Sequence, residues 1–155
     1  MNDNFEIIKS NIKAKKYPRL GSGSGRTVYD LGNSYVVKVA KNRKGIEQNK
    51  AEYQISKADH SNIFAEVLAL SECSSYLVME KAQRISSFAQ VWNYYHVQNN
   101  KQLFSQEEFR KLLVQFDLLT ADLYRLSSWG IVNGRPVIID YGFTKRVIKF
   151  YRFGF

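Results

Sequence analysis

A lysine in the middle of an apolar strand is the feature that most restricts how this chain can fold. The segment Tyr35–Ala40 reads Tyr-Val-Val-Lys-Val-Ala and predicts a strand, because β-branched residues favour a pleated backbone. Lys38 in such a strand is unexpected unless its amine meets an anionic partner, since a buried unpaired charge is costly. Glu52, on the helix predicted next, is the partner we expect. The alternative is a lysine at a strand edge and a solvated glutamate.

The first half of the chain is predicted to consist mainly of strands. The predicted elements are a helix over Phe5–Lys16, an extended stretch before the Gly21–Gly25 turn, strands over Thr27–Leu31, Tyr35–Ala40, Glu66–Leu70 and Tyr76–Glu80, and a helix over Gly45–Ala58. A hairpin turn is predicted at Gly32-Asn33.

The second half is predicted to be mainly helical. Helices are expected over Ser87–Val97, from Ser105 through Leu119 and over Thr144–Phe155, and a strand pair over Gly130–Val132 and Pro136–Ile139 turns at Asn133-Gly134. Ser105-Gln106-Glu107-Glu108 predicts a capping box, in which the serine hydroxyl accepts a backbone N–H and Glu108 bonds back.

Composition limits the class of protein and its partners. The 155 residues suffice for one domain, and no apolar run approaches the length of a membrane span. Cys73 is the only cysteine, and the first residues do not resemble a signal peptide, so we expect a cytoplasmic protein. The net charge of +9 favours anionic partners such as nucleotides, acidic proteins or nucleic acids. Without a groove or base-stacking motif, nucleic acid is not favoured.

Two further features are typical of phosphate and metal binding. A glycine-rich turn, Leu20–Gly25, lets backbone N–H groups approach phosphate oxygens, although a plain serine- and glycine-rich hairpin loop is the alternative. Asp140 follows an apolar strand and precedes Tyr141-Gly142, and a carboxylate there suits a hard cation such as Mg²⁺. Here the alternative is a simple Asp-Tyr-Gly turn.

Taken together, these motifs resemble the protein-kinase-like superfamily. The matching segments are Leu20-Gly21-Ser22-Gly23 with Val28-Tyr29, Val36-Val37-Lys38, Glu52, and Ile139-Asp140-Tyr141-Gly142. They look like the glycine-rich loop, the strand lysine, its helix glutamate and the metal-binding Asp-Phe-Gly motif. The pattern is nearer to small bacterial and phage kinase-like proteins and small-molecule phosphotransferases than to eukaryotic kinases.

The resemblance implies an α+β fold and an ATP site that uses Mg²⁺. It implies a single domain, with a five-stranded antiparallel lobe over about residues 17–82 and a reduced helical lobe over about 83–155. The nucleotide-binding residues it implies are Gly21, Ser22, Gly23, Ser24, Val28, Lys38 and Glu52, with backbone groups of Glu80 and Ala82 at the adenine. Asp122 would be the catalytic base, with Lys38 also catalytic, and Asp140 and Ser127 would bind the metal.

The sequence departs from the family pattern near Asp122 and at the C-terminus. The family has an asparagine where this chain has Ser127, and a hydroxyl is a poorer metal ligand than an amide oxygen. Few residues follow Asp140, so we expect the usual acceptor platform to be absent or supplied by a partner. A basic segment with Lys145, Arg146, Lys149 and Arg152 could dock an acidic protein, or could simply be a solvated helix.

Three functions therefore remain open from the sequence. The first is an ATP-binding minimal kinase that transfers the γ-phosphate to a hydroxyl on a protein or small molecule. The second is a catalytically impaired pseudokinase that acts as a regulatory protein-binding module. The third is a basic nucleic-acid-binding protein.

Overall fold

The computed structural model of the chain describes residues 2–153, with side chains described for residues 4–149. The chain divides into two compact units. The first comprises the described residues up to Lys57 together with Glu66–Lys81. The second comprises Ala58–Ala65 and the described residues from Ala82 onward.

The first unit is a five-stranded antiparallel sheet with two helices. Its elements are α1 (Asn2–Lys13), β1 (Arg19–Ser22), β2 (Arg26–Asp30), β3 (Tyr35–Ala40), α2 (Arg43–Ala58), β4 (Val67–Leu70) and β5 (Tyr76–Glu80). The strand order is β1-β2-β3-β5-β4, and every neighbouring pair is antiparallel. The predicted α+β class and five-stranded sheet are confirmed, and β3 and β5 have the predicted bounds.

Alternation along β3 gives the sheet two different faces. Val37 is fully buried and forms a cluster with Val78 of β5 and Ile8 of α1. Helix α1 presents Ile8 to this face because Phe5, Ile8 and Ile12 recur at helical spacing. Lys38, the next residue of β3, points to the opposite face and bonds to α2. The period of two thus places the lysine on the face of the sheet that α2 covers.

The second unit combines short helices with a three-stranded sheet. Its elements are β6 (Gln83–Arg84), α3 (Ala89–Tyr95), α4 (Asn100–Ser105), α5 (Glu107–Gln115), α6 (Thr120–Leu123), a 3₁₀ turn (Leu126–Ser128), β7 (Trp129–Val132), β8 (Arg135–Ile138) and α7 (Lys145–Phe153). The sheet order is β6-β7-β8. The turn between β7 and β8 has Asn133 at φ 50° and Gly134 at φ 75°, the two left-handed residues that this kind of hairpin needs. The two-residue strand β6 was not predicted.

The predicted capping box at Ser105 is wrong. Ser105 is the last residue of α4, and its hydroxyl donates to the Lys101 carbonyl at 2.5 Å. The N-cap of α5 is Gln106, which makes no side-chain capping bond. The cap lies instead at the start of α4, where the Asn99 side chain accepts the N–H of Gln102 at 2.8 Å. The motif failed because a preceding helical turn already uses the serine.

Aromatic residues fill the core of the second unit. Phe109 and Trp129 are both 1% exposed, and their ring centroids lie 6.2 Å apart. The Trp129 indole N–H donates to the Leu123 carbonyl at 2.8 Å, so its polar edge is satisfied. These contacts fix the 3₁₀ turn and β7 directly after α6.

None of the helices in the described part of the chain is long and apolar enough to cross a membrane.

Two adjacent isoleucines of α1 give a direct test of how the first unit is held together. Ile8 is 9% exposed against the sheet, whereas Ile7 is 57% exposed. We expect Ile8→Ala to lower the free energy of unfolding by about 2–4 kcal/mol, because it leaves a cavity against Val37 and Val78. Ile7→Ala is the matched control and should change it by less than about 0.5 kcal/mol. Urea unfolding followed by circular dichroism measures both, and equal losses would contradict the packing described.

Candidate functional site

The lysine and glutamate singled out from the sequence form a buried ion pair. Lys38 Nζ donates to Glu52 Oε1 at 2.8 Å, with the glutamate side chain 0% exposed and the lysine side chain 7% exposed. Strand β3 fixes the lysine, and α2 brings the glutamate to it. The predicted contact is therefore present, and the role of the pair in holding phosphate stays a prediction.

An arginine that the sequence analysis did not select makes more bonds to Glu52 than the lysine does. Arg26 Nη1 donates to Oε1 at 2.7 Å and Nη2 donates to Oε2 at 2.9 Å, a two-pronged arrangement that matches guanidinium to carboxylate. Arg26 is only 8% exposed. Its position follows from register: Val28 lies opposite Lys38, so Arg26, two residues earlier, shares the face of the lysine.

Asn49 joins the cluster one turn before Glu52 on α2. Its side-chain oxygen accepts a bond from Arg26 at 3.1 Å, and its amide donates to the Ser74 carbonyl at 2.9 Å. Asn49 is fully buried. The asparagine therefore orients the guanidinium from a second side and ties α2 to the turn before β5.

The electrostatics of the cluster keep Glu52 ionised. Burial by itself would raise the pKa of Glu52, but attraction and hydrogen bonds from Arg26 and Lys38 outweigh it and lower the pKa to about 2. One carboxylate against two cations leaves a net charge of +1 on these three side chains.

The glycine-rich turn joins β1 to β2 directly before Arg26. Gly21 pairs with Val28 and Ser22 pairs with Thr27, so the first two candidate loop residues lie within the strand ladder. Gly23 and Ser24 are exposed, and the Gly23 N–H donates to the Arg26 carbonyl at 2.9 Å. A side-chain carbon on Gly23 would meet nothing within 4 Å. The tip of this loop is therefore open.

Val28 lies in β2, and Glu80 is the last residue of β5. Val28 lies opposite Lys38 and on the same face of the sheet. The N–H of Glu80 is already bonded to the Glu66 carbonyl at 2.9 Å, and its carboxylate accepts the Glu66 N–H at 2.8 Å. Its N–H is therefore used in a bond to the neighbouring chain segment, and the predicted adenine contact of Glu80 stays a prediction.

In the second unit, Asp140 is held by the anchored residues around it. Strand β8 ends at Ile138, the Ile139 N–H donates to the Ser128 carbonyl at 2.7 Å, and the Tyr141 hydroxyl donates to the Ala65 carbonyl at 2.7 Å. Asp140 between them is exposed while Tyr141 is buried. The tyrosine of the Asp-Tyr-Gly motif is thus structural. Ala82, also in this unit, is partly buried and stays a predicted adenine contact.

Asp122 lies on the short helix α6, and of the two serines that follow it, Ser127 and Ser128, the first is exposed and the second is buried. Its side chain is 23% exposed, with Arg125 Nη2 at 3.9 Å from Oδ1. The Ser128 hydroxyl is buried and donates to the Asp122 carbonyl at 2.6 Å. Ser127, the predicted metal ligand, is exposed. The hydroxyl of Ser128 therefore shapes the backbone, and that of Ser127 is accessible to solvent.

Comparisons with known proteins give matches among solved structures. No protein-family model matches the chain, and no curated protein matches its sequence. The streptomycin–ATP–APH(2")-IIa ternary complex is 16% identical, with a TM-score of 0.48, over 90% of this chain and 70% of that chain. The gentamicin–APH(2")-IIa complex is 15% identical, with a TM-score of 0.49, over 92% of this chain and 70% of that chain. Both are structures of an aminoglycoside phosphotransferase, a protein-kinase-like fold. A likeness of this strength assigns no activity to this chain.

Sequence reasoning missed both Arg26 and Asn49. Arg26 opens a strand whose register was not known, and only that register places it beside Lys38. Asn49 lies within a polar helix, where an amide side chain carries no special signal. Arg26 becomes recognisable once the burial of Glu52 is known, because a buried carboxylate needs several donors. Asn49 is identified only through its bond to Arg26.

The low pKa of Glu52 predicts that the free energy of unfolding falls at acid pH. We call this part of the pH dependence the acid limb. Because the folded-state pKa of about 2 lies below the ordinary value of 4.5, the stabilisation is complete above about pH 4.5 and is lost as pH falls toward 2. The loss amounts to about 3 kcal/mol for one group. Glu52→Gln should lack this component and should lose about 3–5 kcal/mol at pH 7, because two buried cations lose their counter-ion.

Chemical unfolding measured from pH 7 to pH 3 tests this prediction. Glu47→Gln is the matched control, since Glu47 lies on the same helix in a more exposed pair with Lys50 at 3.4 Å. The control should keep the acid limb of the wild type. An unchanged acid limb in Glu52→Gln would show that other carboxylates cause it.

Proposed function

We propose that this chain is an ATP-binding kinase-like protein that transfers the γ-phosphate to a hydroxyl on a protein or small molecule. The observation that carries the proposal is the buried cluster in which Arg26 and Lys38 share Glu52. A lysine fixed in this way supports phosphate binding, because its amine is already positioned and little side-chain entropy remains to be lost.

The charge of the cluster supports an anionic ligand in particular. Arg26, Lys38 and Glu52 are joined by three bonds, and the three side chains together carry two positive charges and one negative charge. The open glycine-rich loop directly precedes Arg26 in sequence. Loops of this kind bind phosphate oxygens, and we propose that the segment Gly21, Ser22, Gly23 and Ser24 lies against the phosphates here.

The residues present fit Mg²⁺ only if a nucleotide supplies some of the ligands of the ion. Among the described residues, no group of three or more His, Cys, Asp or Glu side chains could hold a metal. A magnesium ion that bridges phosphates needs only one or two protein carboxylates, because phosphates and water complete its shell. Asp140, exposed after β8, is the proposed carboxylate, and the Ser127 hydroxyl is the proposed second ligand. The metal would neutralise charge on the phosphates.

The proposed reaction is a direct transfer. The acceptor oxygen bonds to the γ-phosphorus as the bond to the bridging oxygen breaks, and ADP leaves. Asp122 is proposed to take the proton of the acceptor hydroxyl. Lys38 is proposed to stabilise the charge on the nucleotide phosphates.

The environment of Asp122 supports a second candidate, a catalytically impaired pseudokinase with a regulatory role. No asparagine stands where the family has its second metal ligand, and the exposed Ser127 hydroxyl is a weaker substitute. The acidic partner of such a module would meet α7, where Lys145, Arg146 and Lys149 are exposed. Nucleic-acid binding remains a third and less favoured proposal, based on the net charge of +9.

A thermal shift with ATP and Mg²⁺ tests nucleotide binding. At a ligand concentration of 100 times Kd, binding should stabilise the wild type by about 2.7 kcal/mol. Lys38→Ala should abolish most of this stabilisation but still fold, because Glu52 keeps its two bonds to Arg26. Lys50→Ala is the matched control, since Lys50 is exposed on α2. Absence of any shift in the wild type would reject both nucleotide-binding functions.

An assay of phosphate transfer distinguishes an active enzyme from a pseudokinase. If the chain is an enzyme, Asp122→Asn should lower ATP turnover at least about a hundredfold while keeping the ATP-dependent thermal shift. Asp140→Asn should remove the part of the shift that depends on Mg²⁺. An ATP-dependent shift with no turnover in the wild type, with hydroxyl acceptors and acidic proteins supplied, would favour the pseudokinase.

A further inference from the structure

The turn between β3 and α2 makes several bonds to the glycine-rich loop. The Lys41 N–H donates to the Gly25 carbonyl at 2.8 Å, and Lys41 Nζ donates to the Gly23 carbonyl at 2.6 Å. The Asn42 amide donates to the Ser24 carbonyl at 2.9 Å. Three consecutive carbonyls of the loop thus have donors from two consecutive residues of one turn.

The side chain of Ser24 is held by the first turn of α2. Lys44 Nζ and the Ser24 hydroxyl oxygen lie 2.7 Å apart, so the serine accepts a bond from the lysine. We use the name loop clamp for the three residues Lys41, Asn42 and Lys44. Together they account for four hydrogen bonds to the loop.

The backbones of the loop and of α2 also touch directly. A side-chain carbon on Gly45 would overlap the Gly25 carbonyl oxygen, and it would lie 2.9 Å from the Ala40 Cα atom. A side-chain carbon on Gly25 would lie 3.2 Å from the Gly45 nitrogen. Glycine at position 45 permits this approach, which brings the loop within reach of the clamp.

Asn42 has a second task that links the loop to the helix bearing Glu52. Its side-chain oxygen accepts the Gly45 N–H at 3.1 Å, which is the N-cap bond of α2. The same side chain donates to Ser24 through its amide. The two bonds fix the orientation of the amide, because one needs an acceptor and the other needs a donor.

The direction of these bonds matters for an anion. Loop carbonyls that pointed toward a phosphate would repel it, whereas N–H groups attract it. The clamp holds the carbonyls of Gly23, Ser24 and Gly25 on its own side. The loop is therefore set in an orientation before any ligand arrives.

We infer that Asn42 is a positioning residue, which orders the glycine-rich loop for phosphate and couples it to α2. This inference rests on the proposed nucleotide function for its purpose, but not for its physical basis. The clamp is present in the protein by itself, so the ordering can be measured without nucleotide.

Asn42→Ser distinguishes the two hydrogen bonds of the side chain, the cap of α2 and the bond to Ser24. Serine caps a helix about as well as asparagine but carries no amide, so the cap of α2 is kept and the bond to Ser24 is lost. In hydrogen exchange without nucleotide, amides of residues 21–27 should exchange about fivefold faster, while those of α2 are unchanged. The melting temperature should stay close to that of the wild type. Unchanged exchange in residues 21–27 would overturn the inference.

Binding of ATP then tests the purpose of the clamp. Asn42→Ser should weaken ATP binding about fivefold in calorimetry, and Asn42→Ala should weaken it similarly while also lowering the melting temperature. Lys50→Ala serves as the control and should change neither exchange nor affinity. Faster loop exchange with unaltered ATP affinity would overturn the positioning role. If Asn42→Ser exchanges faster in residues 21–27 but the wild-type protein does not bind ATP, the nucleotide function is rejected and the ordering of the loop is confirmed.

Discussion

The burial of Glu52 is the constraint on which the rest of the first unit depends. A carboxylate with no exposed surface is tolerated only if donors surround it, and Arg26 and Lys38 supply three bonds. These donors come from β2 and β3, so the carboxylate joins two strands to α2. Removing it would take three hydrogen bonds from two buried cations. The pairing therefore fixes the helix on the sheet and positions the lysine at the same time.

This cluster differs from a simple lysine–glutamate pair in a way that affects its use. When one lysine meets one glutamate, their charges cancel, and each depends wholly on the other for its position. Here Arg26 holds the carboxylate independently of the lysine, and Asn49 in turn accepts a bond from Arg26. Lys38 is positioned by a carboxylate that other groups already hold in place. An arrangement of this kind is preorganised, because no rearrangement of α2 is needed to bring Glu52 to the lysine.

The glycine-rich loop is organised from the same helix. The N-cap residue of α2 bonds to the loop through its amide, and Glu52 further along the helix bonds to the residue that follows the loop. The start and the middle of α2 thus hold consecutive parts of one segment, residues 23–26. The position of α2 consequently sets both the loop backbone and the buried cations.

The sequence by itself determined the strands of the first unit, the helix that bears Glu52 and the identity of one ion pair. Runs rich in β-branched residues predicted the strands, and a lysine among valines required an anionic partner, which Glu52 supplied. Local patterns were less successful where a neighbouring element competed, as at Ser105, whose hydroxyl bonds back within α4. Only the tertiary structure decided that Arg26 shares the carboxylate and that Asn42 reaches the loop. Both depend on strand register and on the placement of α2, which bring together residues distant in sequence, and no local pattern encodes such distances.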